Sequence, residues 1–511
     1  MFRFFLQGRA ALVVLMLFAT QVMFAQSGAM DARRDAYDGP LPKYVFLFIG
    51  DGFGLSQAAA TEAFLAAQSG RAGMVPLSFD AFPALGMTTT YAQDRLITDS
   101  ASAGTALASG RKTNAGIIGM NAEKTFAFPT VAERARDKGM KVGIVTSVSI
   151  DHATPAVFYA HQPDRNMFHQ IALQLSESGF DYFAGVGFLK PEDDSGIDSS
   201  NPSLNEGTDD GQIVQSAENC IAVARRRGYR YLDTRDEFLN LHKGDGRVIV
   251  TAPMSASGSI MPYAIDQSPG DITLADLAAK GIELLDNPDG FFMMVEGGRI
   301  DWSCHANDAA TTVREVIDFD HAVRRALEFY LAHPDDTLII VTADHETGGM
   351  AMGYEGAHYE SDFALLTFQS VSYEVFTGIV RQYRDAHPDG GSEDEALALV
   401  RRYFGLGDAS KGLALTDLEQ QQLRAAFRAG MKKNAPVSPA EREAYDLLYG
   451  DYEPLSATAC RILAQKAGIG WTSFAHTAVP VPVRAIGAGS ELFSGFYDNT
   501  DIANNIFRLM K

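Results

Sequence analysis

Four almost uninterrupted apolar runs punctuate the chain, at residues 44–49, 142–146, 291–295 and 337–342. Runs of that length without polar alternation are expected of strands buried on both faces of a parallel sheet. Segments with helical character lie between them, including residues 55–67, 130–138 and 273–285. The pattern therefore predicts an α/β fold, a largely parallel central sheet with helices on both faces. Each run stops in residues that a core does not require. The first ends in Gly50-Asp51-Gly52-Phe53-Gly54, and the second leads into Ser149-Ile150-Asp151-His152-Ala153-Thr154-Pro155. The third ends in Glu296-Gly297-Gly298-Arg299-Ile300-Asp301 and the fourth in Asp344-His345-Glu346-Thr347-Gly348-Gly349. The carboxyl edge of such a sheet is where ligands bind. Taken singly, Asp51 reads equally well as a turn or cap aspartate.

After residue 353 the character changes. Capping boxes at Ser392 with Glu395, Thr416 with Glu419 and Ser438 with Glu441 each precede a helical run. They predict a mainly helical insertion over 361–470, between a first α/β part, 43–360, and a final part, 471–511. Sheet-like sequence returns at 479–486, and 498–510 reads as a closing helix. The stretch 192–210, rich in Asp, Ser, Asn and Gly, reads as a solvated loop, with calcium binding as the weaker alternative. No repeat of solenoid period is evident.

The formal net charge of −21 argues against nucleic acid or an anionic membrane as partner. An anionic ligand would need positive charge concentrated locally, which metal ions held by carboxylates supply. Arg3 and Arg9, an apolar run over 11–24 and Ala25-Gln26-Ser27 read as a signal peptide, 1–25, followed by a leader, 26–42. Export to a periplasm or the medium is expected without a stable membrane anchor; a retained N-terminal anchor is the alternative. Three cysteines allow at most one intramolecular disulfide.

The candidate chemistry gathers around Thr98-Asp99-Ser100-Ala101-Ser102-Ala103-Gly104. Asp99 suits a helix N-cap, and the free N–H groups of that helix start would face Ser100 and an anion near it. Alone, Ser100 is an ordinary capping or packing serine. Asp301 and His305, four apart, share one helix face and can grip one metal. Their helix is predicted to continue through Val313 to Leu327. Asp344 and His345 make a second carboxylate and imidazole pair. With Asp51 and a further histidine, these are oxygen and nitrogen ligands that suit a two-metal phosphoryl-transfer site and favour zinc.

Together the stretches 48–55, 98–110, 151–165, 294–305, 342–349 and 474–477 resemble the alkaline phosphatases, in that family's order, over 44–353 and again from 470 onward. The resemblance implies hydrolysis of small-molecule phosphate monoesters through a phosphoserine intermediate. It implies Ser100 as nucleophile, with Asp301, His305 and His476 as ligands of one zinc and Asp51, Asp344 and His345 of the other. Asp51, Thr154 and Glu296 then match a magnesium site, giving two Zn²⁺ and one Mg²⁺ per chain. Arg165 matches the arginine that clamps the phosphoryl group; without the resemblance it would be a surface ion-pair residue. His152 stands where some members place an aspartate, making it a further candidate ligand and substrate contact. Trp302 stands where some place a lysine, and is assigned to substrate binding. The rival enzyme is a phosphodiesterase of the same superfamily, which Arg165 and the third-site residues disfavour. A binding protein with a decayed site is disfavoured by the intact ligand set. A homodimer is left open, as is a cap or interface role for 361–470.

Overall fold

The computed structural model describes residues 37–192, 218–251, 261–431 and 438–510. The expected signal peptide, most of the leader and most of the polar loop after residue 192 lie outside the described residues. Ten strands form the main sheet: β1 (Tyr44–Gly50), β2 (Ala84–Thr89), β3 (Lys141–Thr146), β4 (Tyr182–Gly185), β5 (Arg230–Leu232), β6 (Val248–Thr251), β7 (Phe291–Gly297) and β8 (Thr337–Ala343), and, after four short strands, β13 (Val481–Gly487) and β14 (Gly495–Asp498). The short strands are β9 (Glu346–Thr347), β10 (Ala351–Met352), β11 (Ile469–Gly470) and β12 (His476–Thr477).

The main sheet runs β14-β2-β13-β8-β1-β7-β3-β4-β6-β5, and β13 alone opposes its neighbours. Its centre, β8-β1-β7-β3, is made of the four apolar runs that the sequence singles out. Side chains of β1 alternate between two cores. Val45, Leu47 and Ile49 join Ala101, Leu107 and Val157 on one face, while Phe46 and Phe48 join Phe53, Val316 and Phe319 on the other. Covering both faces is what removes polar alternation from these strands. The central strands are also level at their carboxyl ends. Gly50 is opposite Gly297 and Ala343, and Thr146 is opposite Glu296, so the loops that follow open at one edge.

Two expectations are corrected. The Asp301-to-His305 segment does not run on into the next helix: one helix is Arg299–His305 and another Ala309–Ala332. Asn307 between them has φ 54°, and Asp308 restarts the helix by accepting from Thr311 N at 3.1 Å. The box at Ser392 is incomplete. Glu395 accepts the Tyr383 hydroxyl at 2.5 Å, and Ser392 N donates to that same hydroxyl at 2.8 Å. The boxes at Thr416 and Ser438 close in both directions.

Residues 361–470 supply helices Tyr373–Ala386, Glu393–Phe404, Asp417–Met431, Pro439–Tyr449 and Pro454–Lys466. Phe376, Phe404, Phe427 and Leu463 form a core with Phe64 and Val313, so these helices pack against the α/β body. Among the described residues, no helix is long and apolar enough to cross a membrane.

Candidate active site

Ser100 opens a fully buried helix, Ser100–Ser109, whose N-cap is Asp99. Asp99 Oδ1 accepts from Ser102 N at 3.1 Å and from Ser102 Oγ at 2.7 Å. Small residues let this helix sit tightly against the short helix Ala153–Ala156 and its C-cap: a Cβ added at Gly104 would meet Val157 Cγ2 at 3.0 Å. Ser100 Oγ lies 3.3 Å from His345 Nε2.

Three groups of potential metal ligands converge there: Asp301 with His305 and His476; Asp51 with Asp344 and His345; and Asp51 with His152 and Glu296. Thr154 joins the third through its hydroxyl, 3.4 Å from Asp51 Oδ2. Asp51 and Asp344 follow β1 and β8, Glu296 ends β7, and Asp301 and His305 share one helix. His476 arrives on β12, antiparallel to β9, with His476 opposite Thr347.

The donor set fits divalent cations. Nδ1 of His305 donates to Phe474 O at 2.6 Å, and Nδ1 of His476 to Thr98 O at 2.8 Å. A carbonyl only accepts, so these bonds fix the tautomer and turn both Nε2 atoms inward, 3.1 Å apart. His345 Nδ1 is likewise engaged, 3.2 Å from Thr347 Oγ1, leaving its Nε2 3.2 Å from Asp344 Oδ2 and 3.5 Å from Asp51 Oδ1. Asp51 Oδ1, Asp344 Oδ2 and Glu296 Oε1 are buried without a hydrogen-bond partner among the described residues. Buried carboxylate oxygens without partners are costly, and a cation is the group that satisfies several at once.

Protonation reflects that crowding. Burial, then the charges of Asp344, Asp301 and Glu296, push the Asp51 carboxyl well up, and burial with Asp301 and Glu296 does the same to Asp344. Burial raises Glu296 to about 7. Burial also works to raise Asp301, but His305, His476 and His345 hold it far below the carboxylate range. His305 is raised to about 9, because Asp301 outweighs burial. Loading a cation must displace such protons, so metal uptake releases them.

Arg165 reaches the same opening. Asp99 Oδ2 accepts from Arg165 Nη1 at 3.1 Å, while Arg165 Nη2 lies 3.4 Å from His152 Nε2. Burial and the Arg165 charge hold His152 down to about 3, so it is neutral at working pH. The Trp302 ring meets that of His152 edge-on, with centroids 6.0 Å apart.

Sequence reasoning missed the residues that hold the set in place. Asp99 is an anchor for Arg165 as well as a cap. Thr347 Oγ1 donates to Asp301 Oδ1 at 2.5 Å and so ties two ligand groups together. Glu346 accepts from Gln57 Nε2 at 2.8 Å and from the Thr477 hydroxyl, bracing β9 against β12. The adjacency of Thr347 and Glu346 to His345 was the available signal. His161 is a brace, its Nδ1 donating to Gly119 O at 2.9 Å. His358, on an exposed turn, belongs to none of the ligand groups.

A family model described as alkaline phosphatase matches residues 42–183 and 197–511. The chain is 31% identical over 474 residues to alkaline phosphatase 3 of Bacillus subtilis (strain 168), covering 92% of this chain and 89% of that protein. It is 30% identical over 410 residues to the tissue-nonspecific alkaline phosphatase of Gallus gallus, covering 74% and 78%. Its fold matches the cold-active alkaline phosphatase of Shewanella sp. with a TM-score of 0.72 at 26% identity, over 92% of this chain and 100% of that one. The Thermus thermophilus alkaline phosphatase gives 0.69 at 25% identity, covering 93% of each chain.

Proposed function

This chain belongs to the alkaline phosphatase family and is a phosphatase, and from that premise we propose that it hydrolyses phosphate monoesters through a phosphoserine at Ser100. The observation that carries the reading is the convergence of Ser100, Arg165 and three ligand groups on one edge of the sheet. The ions proposed are two Zn²⁺, one on Asp301, His305 and His476 and one on Asp51, Asp344 and His345, with Mg²⁺ on Asp51, Thr154 and Glu296. When bound, they supply positive charge that favours the ionised serine hydroxyl and offsets charge on the reacting oxygens.

Ser100 Oγ attacks phosphorus and the alcohol departs; water then cleaves phosphoserine, releasing inorganic phosphate and restoring the hydroxyl. Arg165 binds two phosphoryl oxygens through its planar fork, pre-aimed by Asp99, which lysine could not match. The N-terminal N–H groups of the Ser100 helix add a fixed positive end beneath the same oxygens. Export to a periplasm or the medium belongs to the same proposal, as does a cap or interface role for 361–470.

The test separates monoesterase from diesterase. Arg165→Ser is expected to lower kcat/KM for p-nitrophenyl phosphate at least about tenfold more than for bis-p-nitrophenyl phosphate, because a diester has lost one of the charged oxygens the fork grips. Equal losses on both substrates would remove Arg165 from the clamp.

The third group contains His152, a neutral donor better suited to zinc than to magnesium, which prefers a near-octahedral oxygen shell. His152→Asp is therefore expected to tighten Mg²⁺ and make activity depend more steeply on added Mg²⁺ at fixed zinc. Superimposable activation curves for the two proteins would show that His152 does not sense that ion.

A further inference from the structure

Arg299 is among the largest fully buried side chains of the described residues, 1% exposed, at the start of the short helix that carries Asp301, Trp302 and His305. The mechanism above gives it no task. Its guanidinium carbon lies 3.3 Å from the Tyr263 ring centroid and 5.8 Å from that of Trp302. Nη2 donates to Glu374 Oε2 at 2.8 Å, and Nε has no hydrogen-bond partner among the described residues. Tyr263 is held in turn, its hydroxyl donating to the Tyr373 hydroxyl at 3.1 Å. Tyr373 and Glu374 are the first two residues of helix Tyr373–Ala386, within the helical insertion. Two consecutive residues of the insertion therefore grip the stacked Arg299 and Tyr263, and Trp302, which borders the same guanidinium, meets His152 edge-on.

From this geometry we propose that Arg299 and Glu374 are positioning residues, through which the insertion fixes Trp302 against His152, the neighbour of Arg165, at the phosphate-binding opening. The inference rests on the function proposed above for that opening. A planar, always-charged guanidinium suits the task, since it stacks on one ring, borders a second and bonds a carboxylate at the same time. Burial makes the Glu374 bond directive: with the carboxylate gone, the cation must turn to find another acceptor, and Trp302 loses its backing.

The chain has two tryptophans, so Trp471→Phe leaves Trp302 as the sole indole reporter. In that background, Glu374→Ala is expected to shift Trp302 emission and increase its quenching by acrylamide. KM for p-nitrophenyl phosphate and Ki for inorganic phosphate should rise about fivefold together, with kcat within about twofold. Arg299→Lys should show the same signature, because an ammonium keeps the charge but cannot stack. Should Arg299→Lys fold poorly, Glu374→Gln, which keeps an acceptor and loses the charge, should fall between parent and Glu374→Ala. A folded Glu374→Ala with unchanged emission, KM and Ki overturns the proposal, as does a lowered melting temperature with those three unchanged. The emission readout holds whatever the substrate, whereas a parent that fails to hydrolyse the monoester counts against the proposed function instead.

Discussion

Ser100→Ala is expected to lower kcat for a phosphate monoester by about 10³-fold or more while leaving the fold intact. The size follows from losing the only step that splits one difficult displacement into two. The intact fold follows from local geometry. The cap of the Ser100–Ser109 helix is made by Asp99 to Ser102 N and Oγ at 3.1 and 2.7 Å, and none of it passes through the Ser100 hydroxyl. Arg165 also keeps its anchor on Asp99, so phosphate binding should survive better than turnover. Steady-state kinetics with a circular dichroism melt reads both halves. A variant that keeps near-parental kcat would remove Ser100 as nucleophile.

Metal removal should be as severe. Exhaustive chelation is expected to suppress activity by about 10³-fold or more, with recovery on adding Zn²⁺ and Mg²⁺, since the carboxylate-rich opening has too little positive charge of its own for a phosphate dianion. Stability should report the same vacated charges, with a definite sign. In the metal-free protein Glu296 is pushed to about 7, His305 to about 9, and Asp51 and Asp344 well above their ordinary value. All four hold protons more tightly folded than unfolded, so each takes stability away as pH rises through its folded value. His345 and His152, held down mainly by burial, act oppositely, but only below the ordinary histidine value near 6.5. Between pH 7 and 9 the His345 and His152 contributions are over and Glu296 is largely so, and His305, raised to about 9, sets the sign. The melting temperature of chelated protein should fall over that interval relative to metal-loaded protein, widening the gap between them. A constant gap would mean that His305 does not face an ion.

The sheet's centre was legible because strands buried on both faces leave no polar positions, as in Tyr44–Gly50 and Thr337–Ala343. Other strands were not. Ala84–Thr89 keeps Leu85 exposed, and Arg230–Leu232 has three residues, too few for a period to show. The helix break at Asn307 escaped because apolar spacing continues across it, and a single positive φ leaves no mark on spacing. Of the potential metal ligands, Asp51, Glu296, Asp344 and His345 stand at abrupt polar ends of apolar runs and Asp301 and His305 are four apart, whereas His476 and Thr154 came only from the resemblance. The supports of the site were not legible, because Thr347 to Asp301 and Asp99 to Arg165 join residues 46 and 66 positions apart. Contacts of that kind are set by where the sheet places its loops. Nothing in the sequence singles out Arg299; its burial against Tyr263 and Glu374 appears only when the insertion folds back onto the helix Arg299–His305.

The central claim, a covalent phosphoserine at Ser100, is tested most directly by trapping it. Metal-loaded enzyme incubated with [³²P]phosphate or a labelled monoester at mildly acidic pH, quenched in acid and digested, should yield one labelled peptide containing Ser100, with the label absent from Ser100→Ala. Label on any other residue, or hydrolysis at full rate with no label trapped at Ser100 under any quench, would contradict the account.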